Sequence, residues 1–585
     1  MAESIQRRKR PVPPSTQAMS YPRKRAVTAC QLCRRRKTKC DNVRPSCGFC
    51  ANLDVSCIYQ APETDYSSFD PAALVLLEKM DYMISLVEKN NPDPLGDSGL
   101  PPTSDRSQSR SSVVGAWAAN EESREIPSRC NISCRILEWP IFDDVQFDRA
   151  PDTLFTGHAK ASQQQGNPRS QGIIEDHIPS YVDRFLTNVH TKNPVVDHTL
   201  LSKHVRDIAE DGLGWDGLTS ITLMACALGI ISQPFQRIPV TQLDSVKTDL
   251  PLANVYYTAA RKRIGLLDTT SLLYIQTTFL SGVYEMYTLR PLAAWHSFHT
   301  ACSSMQLYFK TRDPLESSVT QGLEQRLQWS CFKSEREIRT EINLISLKAS
   351  NWDLTEEFPM PPHEDGEPPT VFPLEESWYY YLTDISQRRI LDRILNSFYA
   401  HESDRQWLQA SSDEMTRIAL ELDRQVAMAE ANLPPWLQFS QELGDRELPY
   451  FIHRRLLHMQ DCLYKPFLFR VVHSHQAQPQ VVVDLAQRCV ETCRKNILES
   501  AIQHRHHGSW FVARGAFRCA MAMVAAAKSG KLAMPNGWFA CVDTALTVID
   551  FWGQEAADLR PLGHILRAVY SCTRSQMEKE ETRHL

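Results

Sequence analysis

The sequence has little that points to a membrane protein or to an enzyme. Its longest apolar run, at about 221–231 of the 585 residues, is too short to span a bilayer and predicts a buried helix. The N-terminus is polar and basic, without the apolar stretch of a secretory signal, so we expect a reducing compartment. No G-x-S-x-G, P-loop or H-E-x-x-H motif occurs, and we therefore predict that the protein is not an enzyme.

Charge is divided unevenly along the chain. The whole sequence carries 64 Lys/Arg against 69 Asp/Glu, whereas the first 60 residues carry 13 against 3. A basic N-terminal part on an acidic remainder predicts a polyanion-binding module attached to a larger domain. Residues 1–29 form a predicted disordered tail with two basic runs that could direct nuclear import. These candidates are Arg7, Arg8, Lys9, Arg10, Arg23, Lys24 and Arg25.

Six of the 17 cysteines form a duplicated C-x2-C-x6-C unit with an offset of 17 residues. C-x2-C spacing lets two thiolates converge on tetrahedral zinc, and two zincs need eight coordination positions. Six thiolates supply eight positions if two of them bridge, and Cys30 and Cys47 are the equivalent pair. The regular spacing disfavours a chance cluster or disulfides. We predict a two-zinc domain at 30–57 with the ligands Cys30, Cys33, Cys40, Cys47, Cys50 and Cys57.

The two halves of this unit differ in charge. Five of the six residues between Cys33 and Cys40 are basic, and none of the six between Cys50 and Cys57 is. Adjacent cations repel one another, and a phosphate backbone relieves that repulsion. We therefore expect the first half to face nucleic acid and the second half to act as a scaffold.

The stretches A-C-Q-L-C-R-R-R-K-T-K-C from residue 29, R-P-S-C at 44–47 and C-I-Y at 57–59 resemble the fungal zinc binuclear cluster DNA-binding domain. The resemblance implies two zincs that share Cys30 and Cys47, and a short helix after the first C-x2-C that enters the major groove. It places the base-contacting pair, typically aimed at a CGG triplet, on Arg36 and Lys37. The other cations are assigned to phosphates. They are Arg34, Arg35, Lys39 and Arg44.

Residues 174–580 predict an all-α regulatory domain. Leu323, Leu327, Cys331, Ser334, Ile338 and Ile342 form one stripe of a single helix. The G-x-G-x-x-G stretch at 212–217 follows a helical pattern, which favours a helix–helix turn over a dinucleotide site. The histidines at 504–507 indicate a polar interhelix segment. Stretches at 181–196 and 326–337 resemble the fungal-specific transcription factor middle homology region, which supports a helical regulatory body.

Between these domains the sequence predicts a connector at 58–69, a helix at 70–91 and a mostly disordered linker at 92–173. The helix carries an a/d seam that favours homodimerisation, and the alternative is a single helix packed on its own body. The seam consists of Ala73, Leu76, Met80, Met83 and Val87.

The predicted fold is thus a small zinc-stabilised cluster domain and a large all-α domain, joined by a dimerisation helix and a disordered linker. We predict a nuclear, sequence-specific RNA polymerase II transcription regulator that contacts double-stranded DNA and the transcription machinery but no membrane. The alternative is a zinc-stabilised protein- or RNA-interaction module on a helical scaffold. Regulation of a fungal metabolic gene cluster is an interpretation by analogy.

Overall fold

The computed structural model describes the chain in separate stretches. They are residues 33, 36, 38, 40, 46–53, 55, 57, 132–147, 172–242, 249–312, 317–342, 344, 374–400, 403–440 and 446–584. The chain divides into two compact units, Met1–Ser107 and Gln108–Leu585. The predicted tail at 1–29 with its import candidates, the connector at 58–69 and the helix at 70–91 lie outside the described residues, so they stay predictions.

Helices account for nearly all regular structure in the described residues. The first unit contains α1 (Gly48–Asn52). The second unit contains α2 (Ile178–Asn188), α3 (His198–Asp211), α4 (Gly217–Ile231), α5 (Leu250–Ile264), α6 (Leu272–Tyr287), α7 (Pro291–Thr311), α8 (Ser317–Glu341), α9 (Leu374–Phe398), α10 (Gln406–Gln409), α11 (Ser412–Ala431), α12 (Glu447–His473), α13 (Gln480–Ser500), α14 (Ser509–Ser529), α15 (Trp538–Gly553) and α16 (Leu559–His584). The same residues contain no β-strand, only an isolated bridge between Pro239 and Ile502. The predicted all-α body is confirmed.

Several helices begin where a carboxylate caps them. The side chains of Asp197, Asp216 and Asp249 each accept a hydrogen bond from the backbone N–H three residues later, at 2.9–3.0 Å. Such a cap satisfies one of the unpaired N–H groups of the first turn and contributes about 1 kcal/mol. These caps set the starts of α3, α4 and α5.

The G-x-G-x-x-G stretch is the turn between α3 and α4. Gly212 follows the last residue of α3 with φ of 80°, a left-handed conformation that glycine adopts at little cost. Asp216 then caps α4. Because a helix rather than a strand precedes the glycines, the interpretation as a helix–helix turn is confirmed.

The apolar run at 221–231 lies in α4, which is buried on nearly every side. α4 packs against α2, α5 and α6. A Cβ atom at position 229 would lie 1.9 Å from the carbonyl oxygen of Tyr181, which is too close for any side chain. α2 therefore packs directly against the backbone of α4 at Gly229. The prediction of a buried helix is confirmed, and glycine is what permits this approach.

α14 is long and apolar enough to cross a membrane by length and composition alone. In the structure it is a central helix of the body, with most of its residues buried against α12, α13, α15 and α16. Its apolar composition is therefore accounted for by burial inside the protein.

α8 carries the predicted apolar stripe. Leu327, Cys331 and Ile338 on this helix are buried, together with Ile342 just beyond its end, and the other two members, Leu323 and Ser334, are half-buried. Contacts with α7 cover part of the helix. The stripe predicted from the spacing of its residues is thus a core-facing surface.

Residues 132–147 correct the predicted linker at 92–173. They form two short 3₁₀ helices, Arg135–Glu138 and Pro140–Phe142, that pack into the core of the body. The indole N–H of Trp139 donates to Asp404 at 2.9 Å, and its ring meets Phe469 edge to face at 5.2 Å. An apolar island within a polar stretch buries enough surface to offset its ordering entropy. Its fully enclosed members are Ile132, Ile136, Leu137, Trp139 and Phe142.

Candidate metal centre and nucleic-acid interface

Sulfur atoms from both halves of the duplicated unit meet in the first unit. The Sγ atoms of Cys33 and Cys47 lie 3.7 Å apart. Cys33, Cys40 and Cys47 form one group of thiols, and Cys47, Cys50 and Cys57 form a second. Within each group the sulfur atoms lie within 4.8 Å of one another. Cys47 belongs to both groups, as a bridging thiolate must.

Backbone hydrogen bonds hold the second half in this arrangement. Cys47 is the residue before α1, and its carbonyl accepts from the N–H of Ala51 at 2.9 Å. The N–H of Cys47 donates to the sulfur of Cys57 at 3.3 Å. The N–H of Val55 donates to the carbonyl of Cys50 at 3.2 Å. One helical turn and the loop after it therefore return Cys57 to Cys47.

The sulfur geometry fits tetrahedral zinc. A Zn–S bond of about 2.3 Å implies a separation of about 3.8 Å between two sulfur ligands. The observed 3.7 Å between Cys33 and Cys47 agrees with that separation. Cys33, Cys47 and Cys50 are fully buried, and no disulfide joins the described cysteines. The residues present therefore fit a metal cluster with thiolate ligands.

The basic half is described at a few positions only. Cys33 and Arg36 have helical backbone, and the side chain of Arg36 is exposed. The N–H of Thr38 donates to the carbonyl of Cys33 at 3.1 Å, which closes the turn between them. The remaining predicted site residues lie outside the described part, and their roles stay predictions. They are Cys30, Arg34, Arg35, Lys37, Lys39 and Arg44.

Comparison with known families decides the class of the first unit. Residues 28–66 match the family model of the fungal Zn(2)-Cys(6) binuclear cluster domain. These residues form a fungal binuclear cluster domain. The binuclear cluster domain binds two zinc ions, so the predicted cofactor is confirmed. The assignment of each individual ligand remains a prediction.

The chain is also similar to curated transcription factors. Putative transcription factor ecdB of Aspergillus rugulosus is 23% identical over 518 residues, which are 80% of this chain and 83% of that protein. Oleate-activated transcription factor 1 of Saccharomyces cerevisiae is 34% identical over 80 residues, 14% of this chain and 7% of that protein. Sorbicillinoid biosynthetic cluster transcription factor 1 of Penicillium rubens is 53% identical over 36 residues, 6% of each. The first of these similarities extends well beyond the binuclear cluster domain.

The histidine segment lies between α13 and α14, as predicted, and it is largely buried. The Nε2 atom of His504 lies 2.9 Å from a carboxylate oxygen of Glu447, and the Nζ atom of Lys192 lies 2.7 Å from the same carboxylate. Burial opposes ionisation of Glu447, but the charge of Lys192 and the hydrogen bond from His504 outweigh it and lower its pKa to about 2. The three residues come from distant parts of the chain, so no local spacing could have indicated this cluster.

A second buried polar cluster joins α8, α9 and α12. Asp384 lies 2.9 Å from Nζ of Lys333 and 3.0 Å from Nε of Arg388. Glu337 lies 2.8 Å from Arg388 and 2.6 Å from Arg455. Glu337 therefore has a structural role as the shared partner of two arginines. Burial opposes ionisation of Asp384, but the charges of its three cationic neighbours hold its pKa well below the ordinary value.

Only part of this cluster has a signal in the sequence. Asp384 and Arg388 stand four residues apart, which is a recognisable pair on one helix face. Glu337 and Arg455 are 118 positions apart and meet only through tertiary packing. Residue spacing along the sequence therefore does not indicate the cluster.

Proposed function

We propose that this protein is a nuclear, sequence-specific regulator of RNA polymerase II transcription that binds double-stranded DNA through its binuclear cluster domain. One observation carries the proposal. The thiols of both halves gather around Cys47, while Arg36 of the basic half is exposed beside them. The names of the relatives, all transcription factors, support it. A scaffold that is held together by thiolates and exposes cations is better suited to bind a polyanion than to bind a small metabolite.

We assign base contacts to Arg36 and Lys37, at the end of the short helix that would enter the major groove. Guanidinium and ammonium groups there donate to O6 and N7 of guanine, which suits a CGG-like triplet. The other cations would contact phosphates and position the domain without selecting sequence. They are Arg34, Arg35, Lys39 and Arg44.

The remaining parts complete this proposal. The helix at 70–91 would pair two protomers, and the body at 174–580 would be a middle homology region that regulates activity and contacts the transcription machinery. One relative is named as a transcription factor of a biosynthetic gene cluster, which supports a similar pathway-specific role here. The transcription-factor relatives also support a protein that regulates genes rather than one that turns over a substrate.

Two alanine variants of the full chain test the proposed contacts. Lys37→Ala should cost about 1–3 kcal/mol on a duplex with CGG triplets and much less on a scrambled duplex. Arg34→Ala should weaken both duplexes alike and reduce the salt slope by about one. Fluorescence anisotropy at several salt concentrations measures all four combinations.

The same assay separates the rival functions. If Lys37→Ala leaves the ratio between the two duplexes unchanged while Arg34→Ala reduces it, the assigned roles are reversed. If RNA displaces the CGG duplex as well as unlabelled DNA does, the protein is an RNA-interaction module instead. If zinc-loaded protein binds neither nucleic acid, the proposal fails.

A further inference from the structure

The helical body contains a cavity among α8, α9, α12 and α14 that the proposed function does not use. Its volume is about 170 Å³. An engineered cavity of roughly 150 Å³ is large enough to hold a benzene molecule. Apolar side chains form much of the wall. They include Trp329, Phe332, Leu391, Leu395, Phe451 and Phe511.

Charged side chains around the cavity have an excess of positive charge. Among the described residues, seven lysine or arginine side chains line it against four carboxylates. Asp384 and Glu337 are shared among three of the cations, as described above. Glu341 faces Arg518 at 3.9 Å. Asp392 pairs with Arg336 at 3.1 Å, and Asp461, which does not line the cavity, pairs with Arg518 at 2.7 Å. Most cations of the wall are therefore held in ion pairs, so few of them can meet a ligand.

Arg454 on α12 is the cation best placed to meet a ligand. It is half-buried, and its Nη1 donates to the backbone carbonyl of Asn496 at 2.6 Å, which anchors the guanidinium at the cavity. Among the described residues no carboxylate lies within ion-pair distance of Arg454. A guanidinium held in this way can bind a carboxylate through two parallel hydrogen bonds.

The imidazoles at the cavity do not add positive charge. Burial, together with the charge of Lys192, lowers the pKa of His507 to about 4. The Nδ1 atom of His506 accepts a hydrogen bond from the N–H of Gly508 at 2.9 Å, so its Nε2 carries the proton of the neutral ring. These rings offer neutral polar contacts beside the guanidinium.

Space in the cavity is maintained by a glycine in the middle of a helix. Gly515 on α14 lines the cavity, and among the described residues a Cβ atom there would meet only the Arg518 guanidinium, at 3.9 Å. Glycine inside a helix costs about 1 kcal/mol relative to alanine. A larger side chain at this position would therefore enter the cavity without weakening the helix.

We propose that this cavity binds a small organic acid with one carboxylate on an aromatic or aliphatic body about the size of a single ring. The guanidinium of Arg454 would hold the carboxylate, and the apolar wall would enclose the body. This proposal goes beyond the proposed function, and its test involves no DNA, so the two can fail independently.

The test uses the full chain and 4-fluorophenylacetate as the probe, observed by fluorine NMR. Arg454→Gln should weaken binding roughly tenfold, because one charge-assisted contact is lost. Gly515→Leu should abolish binding by filling the cavity. Arg417→Gln is the matched control, since it removes the same charge from an exposed position on α11 that does not line the cavity. The neutral analogue 4-fluorophenylacetamide controls for the carboxylate.

Thermal unfolding of each variant checks that it remains folded. The site is supported if the wild type and Arg417→Gln bind the acid, Arg454→Gln binds it weakly and Gly515→Leu does not bind it. The proposal is overturned if the wild type does not bind the acid, if the amide binds equally well, or if folded Gly515→Leu still binds it.

Discussion

Replacing Asp384 with asparagine should destabilise the helical body by about 3–5 kcal/mol, the cost of breaking a buried ion pair from one side. Asp384 is 5% exposed, and asparagine keeps its shape but removes its charge. Lys333, 6% exposed, then has no carboxylate within 4 Å among the described residues. Arg388 and Arg455 keep Glu337 as a partner, so Lys333 is the cation left without one. The expected loss of stability is therefore the cost of one uncompensated buried ammonium.

The matched control makes the same substitution in a surface pair. Asp550 pairs with Arg567, and their side chains are 53% and 43% exposed. Water and salt screen such a pair, so Asp550→Asn should cost less than about 1 kcal/mol. The comparison isolates burial as the cause of the larger effect.

Tryptophan fluorescence during urea unfolding of the full chain measures both variants. None of the 12 tryptophans in the sequence lies within Met1–Ser107, so the signal reports on the helical unit alone. The free energy of unfolding is then compared among the wild type, Asp384→Asn and Asp550→Asn.

The effect of Asp384 should depend on pH in a defined direction. Its pKa in the folded protein is lowered, so its contribution is complete above the unfolded-state pKa of about 3.9. As the pH falls below that value toward the folded-state pKa, the contribution is progressively lost. The difference between wild type and Asp384→Asn should therefore be full at pH 7 and smaller at pH 3.

A second substitution tests whether the unpaired Lys333 ammonium causes the loss of stability. Adding Lys333→Met to Asp384→Asn removes the uncompensated charge and should recover about 1 kcal/mol or more. An uncompensated buried charge is excluded as the cause if Asp384→Asn costs no more than Asp550→Asn, or if the double variant is less stable than Asp384→Asn alone.

Two further predictions concern packing and pairing. Trp139→Ala should lower the free energy of unfolding by about 3–5 kcal/mol, because it removes a large buried side chain. Trp215 is 65% exposed, so the control Trp215→Ala should cost about 1 kcal/mol or less. Urea unfolding followed by circular dichroism measures both variants. Met80→Pro should break the predicted helix at 70–91 and weaken binding to paired CGG sites more than to a single triplet. Equal loss on both DNA sites in an anisotropy assay would contradict a dimerisation role.

The sequence was sufficient to predict the cluster domain because its chemistry depends on local spacing. Cys47 and Cys50 are three positions apart, and Cys50 and Cys57 are seven positions apart. One helical turn and the loop after it are therefore enough to bring the three cysteines together. The all-α body was likewise predictable from the spacing of apolar residues, as the stripe from Leu327 to Ile338 illustrates. In both cases neighbours in sequence are also neighbours in space.

The buried ion cluster and the cavity could not be predicted in this way. Lys333, Asp384 and Arg455 lie on three different helices, and their meeting depends on how α8, α9 and α12 pack. Residues 132–147 were missed for another reason. Trp139 and its apolar neighbours form a short island within a polar stretch, so composition averaged over the stretch concealed it.

The docking of residues 132–147 determines where the helical body can be cut. A fragment that begins at 172 would lose Trp139 and Arg135, which are the hydrogen-bond and ion-pair partners of buried Asp404. It would also expose the ring of Phe469 to water. Such a fragment would carry an apolar surface prone to self-association. The smallest soluble version of the body therefore starts before Ile132, 46 residues ahead of the point where α2 begins at Ile178.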